Sequence, residues 1–90
     1  MEFEWDPNKA SSNLVKHNVS FHEASTVFGD PLALTFPDPD HSHDETRYIT
    51  IGESIQRQLL IISHTDLGQR IRIISARKVT RQERRIYQNG

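Results

Sequence analysis

The run Arg70-Ile71-Arg72-Ile73-Ile74-Ser75-Ala76-Arg77 sets three guanidinium groups along one short segment, and a carboxylate follows at Glu83. A guanidinium is a planar fork that grips phosphate or carboxylate through two parallel hydrogen bonds. On a strand's period of two, Ile71, Ile73, Ser75 and Arg77 point one way, and Arg70, Arg72, Ile74 and Ala76 the other. Arg77 then ends a line of small and apolar side chains at the rim of a core face. There it could hold a phosphate or pair with the segment that follows, where Glu83 is the nearest acid. Glu83 itself has three readings: a helix-capping acid, the partner of Arg77, or a proton-transfer group. His17 is the main acid/base candidate, although a histidine on an apolar face is also a common hydrogen-bonded core residue. His64 alternates with Leu60 and Ile62 and is a weaker candidate. Lys9 and Lys16 could reach a phosphate or face water.

Metal-free cleavage of RNA requires a base for the ribose 2′-hydroxyl, cations for the pentavalent phosphate and an acid for the leaving oxygen. Arg47, Arg72 and Arg77 suit the second role, and His17, or Glu83, a proton transfer. Binding without cutting would use the same residues. His41 and His43 among Asp38, Asp40 and Asp44 resemble a metal-ligand set, but in a polar, proline-broken loop the signal is weak, and neither metal nor cofactor is expected. The chain has no glycine-rich phosphate loop, no HExxH and no Ser/His/Asp pattern.

The elements that must place these groups follow from periodicity and punctuation. Phe3 and Trp5 alternate with acids, as in a short half-buried strand. Asp6-Pro7 reads as N-cap and first residue of a helix running to about His17, with Ala10, Asn13, Leu14 and His17 on one face. Asn18 is suited to a left-handed terminator. Ser20-Phe21-His22-Glu23 is a capping box opening a second short helix that presents Phe21, Ala24, Val27 and Phe28 and stops at Gly29. Strands are expected over Leu32–Phe36, Arg47–Gly52, Gln58–His64 and Arg70–Arg77, with an exposed loop at 37–45 and hairpin-length links after Gly52 and His64. The Gln58–His64 strand is apolar on both faces and belongs in the sheet centre. Thr80-Arg81-Gln82-Glu83 is a second capping box, opening a last helix with Val79, Ile86 and Tyr87 on its apolar side. The expected fold is α+β, in the order β-α-α-β-β-β-β-α, with an antiparallel sheet packed by helices.

Ninety residues set the scale of one domain, 1–90. With no cysteine, disulfides and thiolate metal sites are excluded. The acidic start and the absence of a long apolar run point to a cytoplasmic protein without a membrane segment. The net charge of −1 hides a division. Residues 1–45 hold Lys9 and Lys16 against nine acids, whereas residues 46–90 hold nine basic residues, eight of them arginine, against three acids. Such asymmetry fits a polyanion partner for the second half, or neutralisation of one half by the other within the fold.

Phe3-Glu4-Trp5-Asp6-Pro7-Asn8-Lys9, Asn13 and Lys16-His17-Asn18-Val19-Ser20-Phe21 resemble the opening of the BrnT toxin family. Ala24, Val27-Phe28, Asp30-Pro31, Arg47, Gly52, Leu60-Ile61-Ile62, Ile71 to Arg77, Glu83 and Tyr87 continue the resemblance over nearly the whole chain. The resemblance implies a RelE-like ribonuclease fold, inhibition of translation by RNA cleavage, and neutralisation by a BrnA-like antitoxin. That antitoxin would carry any contact with operator DNA, so that the complex represses its own operon. A free copy could form a homodimer through surface that the antitoxin covers. By position, Lys9, His17, Arg47, Arg72, Arg77 and Glu83 fall on recurrent polar positions of the family; His17, Arg47, Arg77 and Glu83 are expected to act in catalysis, and Lys9, Arg72 and Arg81 in RNA binding. The other function to weigh is a non-catalytic module that binds nucleic acid and antitoxin in operon autorepression. Asn18 stands where the family usually has glycine and tolerates the same left-handed backbone. The acidic loop at 37–45 is longer than is typical.

Overall fold

The computed structural model describes residues 1–38 and 46–90. The chain runs β1 (Glu2–Glu4), α1 (Pro7–His17), α2 (Phe21–Thr26), a 3₁₀ turn (Val27–Gly29), β2 (Leu34–Pro37), β3 (Arg47–Glu53), β4 (Leu59–Asp66), β5 (Arg70–Lys78) and α3 (Arg81–Asn89). The strands form one sheet in the order β1-β5-β4-β3-β2, with β4 at its centre.

The sheet is mixed, which corrects the expectation of a purely antiparallel one. β2 to β5 form an antiparallel meander, but β1 lies parallel to β5, pairing Glu2, Phe3 and Glu4 with Arg70, Ile71 and Arg72. Short links dictate antiparallel pairing only between strands they join. β1 meets β5 from the other end of the chain, so no hairpin constrains its direction. Its position is set by packing: the Phe3 ring lies 5.4 Å from that of Phe28, and Trp5 stands edge-on to Phe21 at 5.9 Å.

Local signals explain the helix boundaries. Asp6 caps α1 by accepting from the Asn8 amide, and Asn18 ends it at φ 57°. Ser20 accepts from the Glu23 amide, but its expected capping box is only half made. The Glu23 carboxylate instead accepts from the hydroxyl of Ser54, a buried residue in the β3–β4 turn. The box at α3 is complete: Thr80 Oγ1 accepts from the Glu83 amide, and Glu83 Oε1 from the Thr80 amide.

One face of the sheet is covered by α1 and α2, and the apolar core lies there. Val19, Phe21, Ala24 and Val27 meet Leu60, Ile62, Ile71, Ile73 and Ala76. Gly52 admits the 3₁₀ turn closely: a Cβ on it would stand 2.7 Å from Val27 Cγ1. The expected inward face of α1 is rotated. Asn13 is buried and Ala10 and His17 are half-buried, but Leu14 is 47% exposed. The cause is the anchoring of Asn13 on the outer edge of β5. β1 ends beside Arg72, and beyond it Asn13 replaces the missing neighbour strand. Its Nδ2 donates to the Ala76 carbonyl at 2.8 Å and to that of Val19 at 3.0 Å, while its Oδ1 accepts from the Ala76 amide at 3.1 Å.

A bulge corrects the expected facing of β5. Ser63 pairs with Ser75 but His64 pairs with Ile73, so Ile74 is an extra residue. An inserted residue reverses the alternation beyond it. Ala76, opposite Ile62, therefore joins Ile71 and Ile73 on the core face, and Arg77, opposite Ile61, lies on the other face with Ser75.

Candidate functional site on the outer face of the sheet

The bulge decides which side chains share a surface. On the face away from the core, Ser75 and Arg77 of β5 stand beside Ser63 and Ile61 of β4. Thr65 on β4 pairs with Arg47 on one side and Arg72 on the other, so these two arginines flank it in one cross-strand row. Arg72 Nε donates to Glu4 Oε2 at 2.9 Å, and Arg70 pairs with the same carboxylate at 3.3 Å. Arg72 and Arg77 are separated by about 16 Å of strand.

Between them, a groove of about 320 Å³ opens at the β5 edge. Lys9, Lys16 and His17 of α1 line one side of it, and Ile74 and Ser75 the other. The anchoring of Asn13 explains why: residues three to four positions away on a helix share its face, so Lys9, Lys16 and His17 are brought to the strand edge. The structure thus gathers His17 and Lys9 beside Ser75, with Arg72 and Arg77 further along the same strand.

Arg77 and Glu83 form a bidentate pair. Nη1 meets Oε1 at 2.9 Å and Nη2 meets Oε2 at 3.0 Å, and Nη1 also donates to the Lys78 carbonyl. Two of the sequence readings of Glu83, capping and pairing, are satisfied together, because Oε1 serves both Arg77 and the Thr80 amide. The hydrogen bond from Arg77, aided by the Thr80 amide, holds the Glu83 carboxyl below the usual carboxylate range despite burial. The same bond raises the Arg77 pKa against the opposing effect of burial. Glu83 is accordingly a fixed anion that sets the direction of the guanidinium. Arg81 is exposed in the first turn of α3, whose start carries this pair.

Other candidates lie elsewhere. His64 is 4% exposed on the core face, with Nε2 2.7 Å from Thr50 Oγ1, which in turn meets Thr35 Oγ1 at 2.8 Å. Phe28 stands edge-on to its ring and Tyr48 stacks on it. Burial holds its pKa below the ordinary histidine value, with Asp66 opposing weakly. His64 is thus a core residue enclosed away from solvent. His41 and His43 lie outside the described residues. Among the described residues, no three metal-ligating side chains converge.

Two polar features carry no local sequence signal. Asp30 accepts from the Tyr87 hydroxyl at 2.7 Å and from the Glu53 and Leu32 amides, tying α3 to the loop before β2. Burial pushes the Asp30 pKa up, but these bonds outweigh it and the net shift is downward. The hydrogen bond to Asp30 pushes the Tyr87 phenol up to about 12. Asn13 is the other feature, since its partner Ala76 is distant in sequence.

The family model for the BrnT ribonuclease toxin of type II toxin–antitoxin systems matches residues 5–83, a span holding both the Lys9–His17 segment and the Arg77–Glu83 pair. The chain belongs to the BrnT family. Membership of a type II toxin–antitoxin system implies an antitoxin partner for this BrnT chain. The fold matches the crystal structure of the Brucella abortus ribonuclease toxin BrnT with a TM-score of 0.69 and 23% identity. The match covers 90% of this chain and 99% of that one. A comparison with curated proteins returned no match. No helix among the described residues of this BrnT chain is long and apolar enough to cross a membrane.

Proposed function

We propose that this BrnT-family toxin acts as one domain that cuts RNA without a metal ion and thereby inhibits translation in the cytoplasm. The observation that carries this reading is the groove where Lys9, Lys16 and His17 meet Ser75, beside a strand bearing Arg72 and Arg77. In it, His17 transfers a proton to or from the reacting ribose or leaving oxygen. Arg77, held by Glu83, stabilises charge on the phosphate as it becomes pentavalent, while Arg47, which lies in the row of Arg72 rather than beside Arg77, bears on a neighbouring phosphate of the backbone. Preset direction matters here, because a donor already aimed needs no reorganisation at the moment of reaction. Lys9, Arg72 and Arg81 steer the backbone along the outer face. The mixed sheet with its helices serves as a RelE-like scaffold. A BrnA-like antitoxin neutralises the toxin by covering this face, which in the free protein is open to self-association, and the antitoxin makes the operator DNA contacts.

One observation favours the other function, a non-catalytic binding module. Both terminal nitrogens of Arg77 are engaged by Glu83 in the free protein, which suits a structural pair. Incubation of mixed single-stranded RNA in EDTA with wild type and with Arg77→Ala separates the two. Cutting by wild type that folded Arg77→Ala loses supports the nuclease. A folded wild type that never cuts, even with added divalent metal or ribosomes, leaves the binding module.

A further inference from the structure

Apart from the α1 groove, a pocket of about 480 Å³ lies between the β3–β4 turn, the end of β5 and α3. Arg57, Lys78 and Arg84 bring three cations to it, against the single carboxylate of Glu53. Among the described residues, none of the three cations is held in an ion pair. The wall also contains Gln58 and the ring of Tyr87, whose hydroxyl is fixed by Asp30.

Two details point to the ligand. Gln58 Oε1 is buried and has no hydrogen-bond partner. This oxygen can only accept, and a backbone phosphodiester carries no hydrogen to donate to it, whereas a base amino group or a ribose hydroxyl does. The second detail is Arg57, at φ 66° in the turn closed by its amide on the Ser54 carbonyl. Glycine adopts this backbone freely, while a side chain there is strained. The chain carries an arginine at a position that would be more stable without one, and that arginine lines the pocket. The end of β5 and α3 build both the pocket, through Lys78, Val79, Arg84 and Tyr87, and the Arg77–Glu83 pair.

We propose that this pocket is a second RNA subsite, taking the phosphate and base of a nucleotide that flanks the one held at Arg77. The inference rests on the RNA reading above and extends it. Arg57, Lys78 and Arg84 neutralise the backbone, Gln58 accepts from the base or ribose, and Tyr87 offers a ring for stacking.

The test measures binding of a labelled single-stranded RNA with 2′-O-methyl riboses, which cannot be cut, across a salt series. Wild type, Arg57→Gly and Arg84→Gln are compared, each with a thermal melt and a cleavage assay on unmodified RNA. Arg57→Gly should melt higher than wild type yet bind several-fold more weakly, with the salt slope reduced by about 0.7. Arg84→Gln should lose affinity similarly without the gain in melting temperature. Wild-type affinity in both variants overturns the subsite. So does unchanged RNA binding with weakened binding of poly-glutamate, which would assign the pocket to an acidic peptide. If Arg57-dependent binding holds while wild type never cuts RNA, the nuclease reading alone fails. If cutting is intact and both variants bind normally, the subsite alone fails.

Discussion

The two faces of the sheet are built by different means. Under α1 and α2, Phe21, Leu60, Ile62 and Ile73 are almost wholly removed from water. On the outer face α3 buries no residue completely and is pinned by Arg77–Glu83 and Tyr87–Asp30. Apolar burial is strong and non-directional, so it sets where elements lie. Hydrogen bonds and ion pairs add little net stability but fix angles. The face that holds the molecule together is therefore not the one that aims the arginines. Damage to one should unfold the protein, and damage to the other should leave a folded but misdirected one.

The largest effect is expected in the core. Phe21→Ala should cost about 3–5 kcal/mol, enough to unfold much of a chain this small, read from a denaturant titration. Asn13→Ala comes next, because it strands the amide and carbonyl of Ala76 and the carbonyl of Val19. A loss on the order of 3 kcal/mol is expected, with faster hydrogen exchange at Ala76. A loss below ~1 kcal/mol would show that water replaces the amide at the β5 edge.

A smaller effect should depend on pH. The folded pKa of His64 lies below its unfolded value, so the unfolded chain binds the proton more readily. The stability contributed by neutral His64 is complete above about pH 6.5 and declines as pH falls from there through the folded value. Denaturation midpoints should drop between about pH 7 and pH 5, with a shallower drop in His64→Gln. Equal drops in both proteins would remove His64 as the cause. The smallest stability change belongs to the outer face. Glu83→Gln should cost under ~1 kcal/mol, because the Arg77 side chain is 41% exposed and solvent screens the pair. Its RNA cleavage should nevertheless fall about tenfold or more, since the guanidinium loses its aim.

Features specified by neighbouring residues could be read from the sequence. Asp6-Pro7 and Asn18 bounded α1, Thr80 and Glu83 opened α3, and the two-sided apolar pattern of β4 placed it centrally. Features settled by distant partners could not. The direction of β1 depends on packing against residues far along the chain, and no local pattern records it. The bulge at Ile74 reverses the facing of Arg77 without changing any residue type, so strict alternation put that arginine on the wrong side. His64 read as a weak acid/base candidate and Asn13 as one residue of the first helix's inward face, because their partners Thr50 and Ala76 are too distant in sequence to register locally. Within the candidate site, residue types were legible and their grouping was not. Lys9 and His17 meet Ser75 only because Asn13 fastens α1 to an unpaired strand edge. Arg57 drew no notice, since a positive φ is invisible without a backbone.

Proton transfer on RNA is assigned to His17 in the α1–β5 groove. It is tested most directly by single-turnover cleavage of single-stranded RNA in EDTA, comparing wild type with His17→Gln. Wild type should cut, and His17→Gln should cut roughly a hundredfold more slowly or worse, with an unchanged melting temperature. Cleavage by folded His17→Gln at the wild-type rate would contradict it.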